Sequence, residues 1–459
     1  MKYLNPSLIF ILSFLFLIIV GAGLLMLPAA SKSSQVNFVD ALFMSASAVC
    51  VTGLAVFDLN AKLSLFGLNV ILVLIQLGGL GIMTFTTFLG YLISGKSSYK
   101  DQIMFSQLLN HNKLGSVIKA LIKIVILTLA FELAGVALIF SVLDDNQFGG
   151  FTDKLFFSIF HSVSAFCNAG FSTLPLGFYD ENFRYNYPLH LIIATLLILG
   201  GLGFTIILNV QVFISRWAVL IYNLIRFKRK IKYKAWVMTF NSRLIAYTTF
   251  ALLVFGFVAF FILEYDHTLA AHPTLFGKIV TAFFTSATPR TAGFNTVDLN
   301  SLAFPSITIM MVLMWIGASP GSTGGGVRTT TFAVAALNIV NSARSFSRIY
   351  VFNRQISSES LKKAFAIISL SILWLGVSIF ILSITDGEKG LKALAFESVS
   401  AYSTVGLSLG ITSVLSTGGK IIILFTMFLG RVGTITLLVA LVNSVMVRHY
   451  EYPKENVIF

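Results

Sequence analysis

Four tripeptides, Val51-Thr52-Gly53, Asn168-Ala169-Gly170, Thr291-Ala292-Gly293 and Thr404-Val405-Gly406, end on glycine and carry no carboxylate, thiol or imidazole. Nucleophilic and acid–base chemistry needs such groups, so what these peptides offer is backbone oxygen. Inward-turned peptide carbonyls can replace the hydration shell of a potassium ion, and a closing glycine permits positive φ and close approach of the backbone to that ion. One such glycine carries no weight. Here each follows the same template of Phe, any residue, Ser/Thr, any residue, Ser/Ala and Ala/Thr. The copies begin at Phe43, Phe160, Phe283 and Phe396 and run to Gly53, Gly170, Gly293 and Gly406 with no insertion between Phe and Gly. The period is about 120 residues, that of a whole multi-helix unit rather than a short solenoid repeat.

The elements that must position these peptides follow from hydropathy. The chain has 459 residues, 56% of them hydrophobic and 11% charged, a balance that excludes an ordinary soluble globular protein. In each copy a long apolar run precedes the template, a short amphipathic segment leads into the glycine, and a second apolar run follows. The short segments, such as residues 37–49 and 392–403, cannot cross about 30 Å of hydrocarbon as helices, so they dip in and return. Re-entrant backbone is tolerated only around a protein-lined or watery interior. The expected fold is therefore an all-α integral membrane protein of four tandem helix–pore-helix–loop–helix repeats. It has eight spans and four re-entrant pore helices around a central pseudo-fourfold pore. Repeat boundaries are expected at 1–96, 97–223, 224–343 and 344–459, the last including a C-terminal tail.

Net charge is +14, concentrated in residues 96–123, 216–243 (Lys228, Arg229, Lys230, Lys232, Lys234) and 344–363. Acids such as Asp40, Asp58, Asp144, Asp145, Asp180, Glu181, Asp266, Asp386 and Glu388 fall in the opposite connections. The positive-inside rule puts the basic loops and both termini in the cytoplasm of a multi-pass cell-membrane protein and removes the need for a nucleic-acid partner. The apolar run at residues 8–28 is too long for a signal peptide and reads as a retained span. Cys50 and Cys167 stand three residues before their glycines and match no metal-ligand spacing. They read as small packing residues, since thiols suit soft metals and potassium prefers oxygen.

A second glycine cluster recurs in each later apolar run: Gly78-Gly79-Leu80-Gly81, Gly200-Gly201-Leu202-Gly203, Gly317 onward, and Gly430-Arg431-Val432-Gly433. Close helix packing is its default reading. In the third unit it becomes Gly317, Ala318, Ser319, Pro320, Gly321, Ser322, Thr323, Gly324, Gly325 and Gly326. As continuous helix this stretch would cost several kcal/mol, at about 1 per Gly and about 3 per Pro, so a flexible polar loop at mid-membrane is expected. Val327-Arg328 stand where a phosphate-binding loop would carry Lys-Ser/Thr, which argues against a nucleotide site. Intramembrane charges are functional candidates by default. Arg431 is expected to contact the 317–326 loop and hold a pore closed, and Glu132 to make a helix-to-helix polar contact. His161 and the scattered serines assemble no nucleophile–base constellation, so no enzymatic activity is expected.

With these residues the chain resembles the Trk/Ktr/HKT superfamily of potassium translocation proteins, and within it the bacterial KtrB/KtrD-type membrane subunits. The resemblance rests on Ser47–Leu54, Ser164–Phe171, Thr288–Phe294 and Ser400–Leu407, which look like the family's four filter loops. Residues 317–326 look like its intramembrane gating loop, and Gly430-Arg431-Val432-Gly433 like the segment facing it. Glycine at all four filter positions matches the potassium-selective members. The resemblance implies potassium uptake through a carbonyl-lined filter by a homodimer with one pore per subunit. It also implies control by a cytosolic octameric ring of RCK-type subunits, KtrA- or KtrC-like, that binds ATP or ADP; no cofactor is expected on this chain. The residues leave open sodium stimulation and the alternative of a secondary active symporter with alternating access, although same-topology repeats speak against the latter.

Overall fold

The structure is a computed structural model that describes residues 6–32, 35–81, 117–204, 206–211, 217, 238–344 and 348–433. The expected boundaries near residues 97 and 224, the basic run from Lys228 to Lys234 and the C-terminal tail lie outside the described residues.

Each unit begins with an apolar helix: α1 (Pro6–Leu25), α4 (Val117–Val142), α7 (Phe240–Leu263) and α11 (Ser358–Thr385). Within α4, α7 and α11 the stretches Ile122–Val142, Phe240–Leu263 and Ser358–Thr385 are long and apolar enough to cross a membrane. They expose large side chains such as Ile126, Leu133, Phe250, Ile262, Leu373 and Phe380. Lipid is the solvent that suits such a surface. A short helix follows in every unit: α2 (Phe38–Val49), α5 (Phe151–Phe166), α8 (Leu275–Ala287) and α12 (Leu391–Tyr402). After the glycine tripeptide comes a third helix: α3 (Leu65–Gly79), α6 (Tyr187–Leu202), α9 (Phe304–Trp315) and α13 (Thr417–Val432). Ser64, Asn186 and Ser416 cap α3, α6 and α13 by accepting the amides of Gly67, Leu189 and Gly419. Such caps satisfy donors that the first helical turn leaves unpaired.

The four units close into a ring. The third helix of each unit packs on the short helix of the next: α3 on α5, α6 on α8, α9 on α12, and α13 back on α2. In units 1, 2 and 4 the second glycine cluster also brings the third helix against its own unit's short helix. A Cβ on Gly78, Gly200 or Gly430 would collide with the carbonyl oxygen of Val49, Phe166 or Tyr402, at the end of its own unit's short helix. The last glycine of each cluster does something packing did not predict. Gly81, Gly203 and Gly433 take φ of 76°, 87° and 88°, and the helix stops there. In the third unit α9 stops at Trp315, and a new helix, α10 (Thr329–Ala343), begins only after the 317–326 loop. A hairpin of β1 (Tyr350–Val351) and β2 (Arg354–Gln355) joins units 3 and 4 and rests Phe352 on Tyr247.

Hydrogen bonds correct the register of the third template copy. Ser45 donates to Ile18 O at 2.7 Å and Ser162 to Glu132 O at 2.7 Å, each pinning a short helix to its unit's first helix. The residue that does this in unit 3 is Ser286, which donates to Leu253 O at 2.8 Å, whereas Thr285 is turned to its own helix at Thr281 O. The buried phenylalanine equivalent to Phe43, Phe160 and Phe396 is thus Phe284, which is fully buried, and the third copy has one residue fewer before its glycine. A further signal supports this register: Gly21, Gly135 and Gly256 lie directly against Ser45, Ser162 and Ser286.

A methyl group on Gly430 has no room to move, because what it meets is backbone. Gly430→Ala is expected to cost about 1–3 kcal/mol through overpacking, read as a lowered midpoint when the purified protein is heated and its tryptophan fluorescence followed. Gly376→Ala, whose methyl would meet nothing within 4 Å, should leave that midpoint unchanged.

Candidate functional site

The short helices end at Val49, Phe166, Ala287 and Tyr402, with one residue intervening before the tripeptides of units 1, 2 and 4 and three before that of unit 3. Their C-terminal ends each carry about half a negative charge, which favours a cation at the tripeptides without any acidic side chain. Beyond those ends the backbone adopts an unusual conformation. Val51, Asn168, Thr291 and Thr404 have φ of 57°, 58°, 71° and 49°, and the glycines two residues on have 93°, 70°, 79° and 93°. The residues between keep negative φ. Alternating the sign of φ turns successive peptide carbonyls toward one side. Val51, Thr291 and Thr404 are β-branched, for which left-handed φ is strongly disfavoured, at about 1–3 kcal/mol each. Strain repeated at one position of all four units is held by the surroundings.

What holds it is the pairing of amides. Thr52 N donates to Ser47 O at 2.8 Å, Ala169 N to Ser164 O at 2.7 Å, Ala292 N to Thr288 O at 3.0 Å and Val405 N to Ser400 O at 2.9 Å. Gly53 N and Gly406 N each donate to the hydroxyl of Ser47 or Ser400 at 3.1 Å. The corresponding hydroxyls of units 2 and 3, Ser164 and Thr288, donate instead to Phe171 O and Phe294 O. Among the described residues no hydrogen bond ends on a carbonyl oxygen of the twelve tripeptide residues. Ten of the twelve backbone amides are spent and the carbonyl oxygens are free, which is the arrangement a cation requires.

The four peptides meet in cyclic order. A Cβ on Gly53 would strike Ala169 O and one on Gly406 would strike Thr52 O, while one on Gly170 would lie 2.8 Å from Ala292 O and one on Gly293 would strike Val405 O. Walls 1 and 3 are therefore diagonal, as are walls 2 and 4. Outside the ring lies a cavity of about 390 Å³ lined by all four glycines and by Asp58 and Asp298. These two carboxylates each stand five residues after a tripeptide glycine and cap short turns at Ala61 N and Asn300 N, both at 3.0 Å. Asp298 is a candidate that sequence reasoning missed, although the shared offset was visible.

The 317–326 loop lies against the other end of walls 3 and 4. A Cβ on Gly324 or Gly325 would collide with the hydroxyl of Thr291 or Thr404. Rather than being loose, the loop is tied to unit 2 by three hydrogen bonds: Ser319 N donates to Gly201 O at 3.1 Å, Phe204 N to Gly321 O at 3.0 Å, and Thr323 Oγ1 to Gly200 O at 3.4 Å. Arg431 reaches it from the fourth unit, donating to Thr323 O and also to Gly78 O. Arg328, not singled out from the sequence, donates to Gly324 O and to Ser319 O. Arginines that bind carbonyls fold a polar loop onto itself where water is scarce.

Glu132 accepts from Gln76 Nε2 at 3.1 Å across units 1 and 2, and Cys167 Sγ lies 3.7 Å from its other oxygen. Cys50 and Cys167 are buried and free, and no group of three or more His, Cys, Asp and Glu poised to hold a metal occurs among the described residues. Arg290, three residues before Gly293, donates to Thr249 O at 3.1 Å.

Residues 4–449 match the TrkH family, described as cation transport protein. The chain is similar to the Ktr system potassium uptake protein B of Bacillus subtilis, 36% identical and covering 94% of this chain and 92% of that one. It is also similar to the potassium/sodium uptake protein NtpJ of Enterococcus hirae, 32% identical over 99% of this chain and 97% of that one. Among solved structures, the potassium transporter TrkH from Vibrio parahaemolyticus superposes with a TM-score of 0.74 at 19% identity. That match covers 96% of this chain and 86% of its own.

The Gln76–Glu132 pair has a measurable consequence. Gln76→Leu strands a buried carboxyl acceptor and is expected to destabilise the protein by about 1–3 kcal/mol. Adding Glu132→Leu should cost less than the two single effects summed, and thermal unfolding of the single and double variants reads that coupling.

Proposed function

The chain belongs to the TrkH family of cation transport proteins, and we propose that it takes up potassium through the ring formed by Val51–Gly53, Asn168–Gly170, Thr291–Gly293 and Thr404–Gly406. The observation that carries this reading is the pairing pattern of those peptides: amides tied back, carbonyl oxygens free, and glycines in contact around one axis. A hydrated ion entering the outer cavity meets the Asp58 and Asp298 carboxylates and the four glycines. It exchanges water for peptide oxygen, and the helix ends beneath offset part of its desolvation cost.

The loop of residues 317–326 acts as the gate. It lies under walls 3 and 4, and opening requires the carbonyls of Thr323, Gly78 and Gly324 to give up Arg431 and Arg328. The four-unit division at residues 97, 224 and 344, a homodimer, cytoplasmic basic loops and termini, and control by a nucleotide-binding cytosolic ring complete the proposal. The names of the Ktr-system relatives support a membrane subunit that works with separate components.

Reconstitution tests both parts. Purified protein in liposomes is expected to take up rubidium or potassium in preference to sodium, and Gly53→Ser, at φ of 93°, to lose that preference. Uptake that stops when sodium is removed would favour the symport alternative instead. Arg431→Ala is expected to raise the uptake rate about tenfold through loss of two charge-assisted hydrogen bonds; an unchanged rate and open probability would remove Arg431 from the gate.

A further inference from the structure

Behind the ring, two buried polar side chains repeat one arrangement on opposite sides of the pore. His161 follows Phe160 on α5 and Glu397 follows Phe396 on α12, so they occupy one position of the template, and both are fully buried. Each meets a serine two residues beyond its unit's glycine. His161 Nδ1 lies 2.9 Å from Phe157 O, so that nitrogen carries the proton of the neutral ring. Nε2 therefore accepts from Ser172 Oγ at 3.0 Å. Ser172 Oγ in turn accepts from Leu174 N at 3.0 Å. In unit 4, Ser408 Oγ donates to Glu397 Oε2 at 2.8 Å and accepts from Gly410 N at 3.0 Å, and Thr412 donates to the other carboxyl oxygen.

Units 1 and 3 lack this link. Met44 and Thr285 stand at the equivalent position, Met44 without a polar hydrogen and Thr285 donating back to Thr281 O at 2.8 Å. Two residues past their glycines are Ala55 and Asn295, and Asn295 turns away to Leu176 O at 3.2 Å. The four-fold ring thus carries a two-fold polar brace, on walls 2 and 4, which the order of the glycines makes diagonal.

We propose that His161 and Glu397 are positioning residues that fix the outer ends of walls 2 and 4 and so set the preference for potassium over sodium. The proposal rests on the potassium reading above. A ring of oxygens discriminates against a smaller ion only while its walls resist moving inward, and here the hydroxyls of Ser172 and Ser408 join the outer end of each wall to its rigid short helix. Glu397 holds two hydroxyls and carries the larger share.

The test measures rubidium uptake into liposomes in competition with sodium, for the full chain and for Ser408→Ala, Ser408→Thr and Glu397→Gln. Ser408→Ala and Glu397→Gln are expected to lower the potassium-over-sodium ratio about tenfold, the scale of one hydrogen bond. Ser408→Thr keeps the hydroxyl and should keep the wild-type ratio, a rescue that a merely volumetric role would not give. If Glu397→Gln fails to fold, the two Ser408 variants decide alone, since Ser408→Ala removes a single oxygen at a partly exposed position. A selective wild type whose Ser408→Ala variant keeps the same ratio, or whose Ser408→Thr variant loses it as fully as alanine does, overturns the brace and leaves the potassium reading standing. A wild type with no preference overturns both.

Discussion

Peptide oxygens with no partner at membrane depth are costly unless an ion or water meets them, and the rest of this fold serves to keep four such sets together. Each set is held open by the amides beside it, which donate backward to the end of a short helix or to a serine hydroxyl. That pairing sustains left-handed φ at Val51, Thr291 and Thr404, where a free chain would relax to the other hand. The first helices face lipid and the third helices close the ring, those of units 1, 2 and 4 lying so near the short helices that glycine is the residue that fits.

The units depart from four-fold symmetry in ways that share a physical logic. Unit 3 shortens the path from hydroxyl to glycine by one residue and interrupts its last helical run with the 317–326 loop. That loop is anchored on carbonyls and an amide of unit 2, and the Arg431 guanidinium of unit 4 links it to Gly78 O of unit 1, so the units are coupled through backbone groups and one arginine side chain. Arg328 and Arg431 supply donors where the loop has surplus acceptors. Glu132 with Gln76 joins units 1 and 2, and Asp40 with Lys420 joins units 1 and 4. Charges placed between units are satisfied only when the ring is closed, which opposes its partial opening.

Much of this was legible without coordinates. The repeated template identified four short helices, and residues 37–49 and 392–403 agree with α2 and α12 to within a residue or two at each end. The glycine tripeptides, the interrupted helix of unit 3 and the link from Arg431 to residues 317–326 were readable because glycine, proline and an intramembrane charge are each rare in apolar helix and expensive there. The third copy was misaligned by one residue, since Phe283 and Phe284 are adjacent and only the bond from Ser286 to Leu253 O tells which is equivalent to Phe43. Arg328 passed as a departure from a phosphate-loop pattern rather than as a second tether.

Sequence alone determined the solvent, the repeat and the residue types at the ring, because hydropathy and glycine spacing are properties of the linear chain. The tertiary structure decided the order of the walls, the pairing of every amide that frees a carbonyl, and the partners of Glu132, His161 and Glu397. Their side-chain partners Gln76, Ser172 and Ser408 lie between 11 and 56 residues away along the chain. Hydrogen-bond geometry over such separations is set by the packing of helices against one another, and no local pattern encodes it.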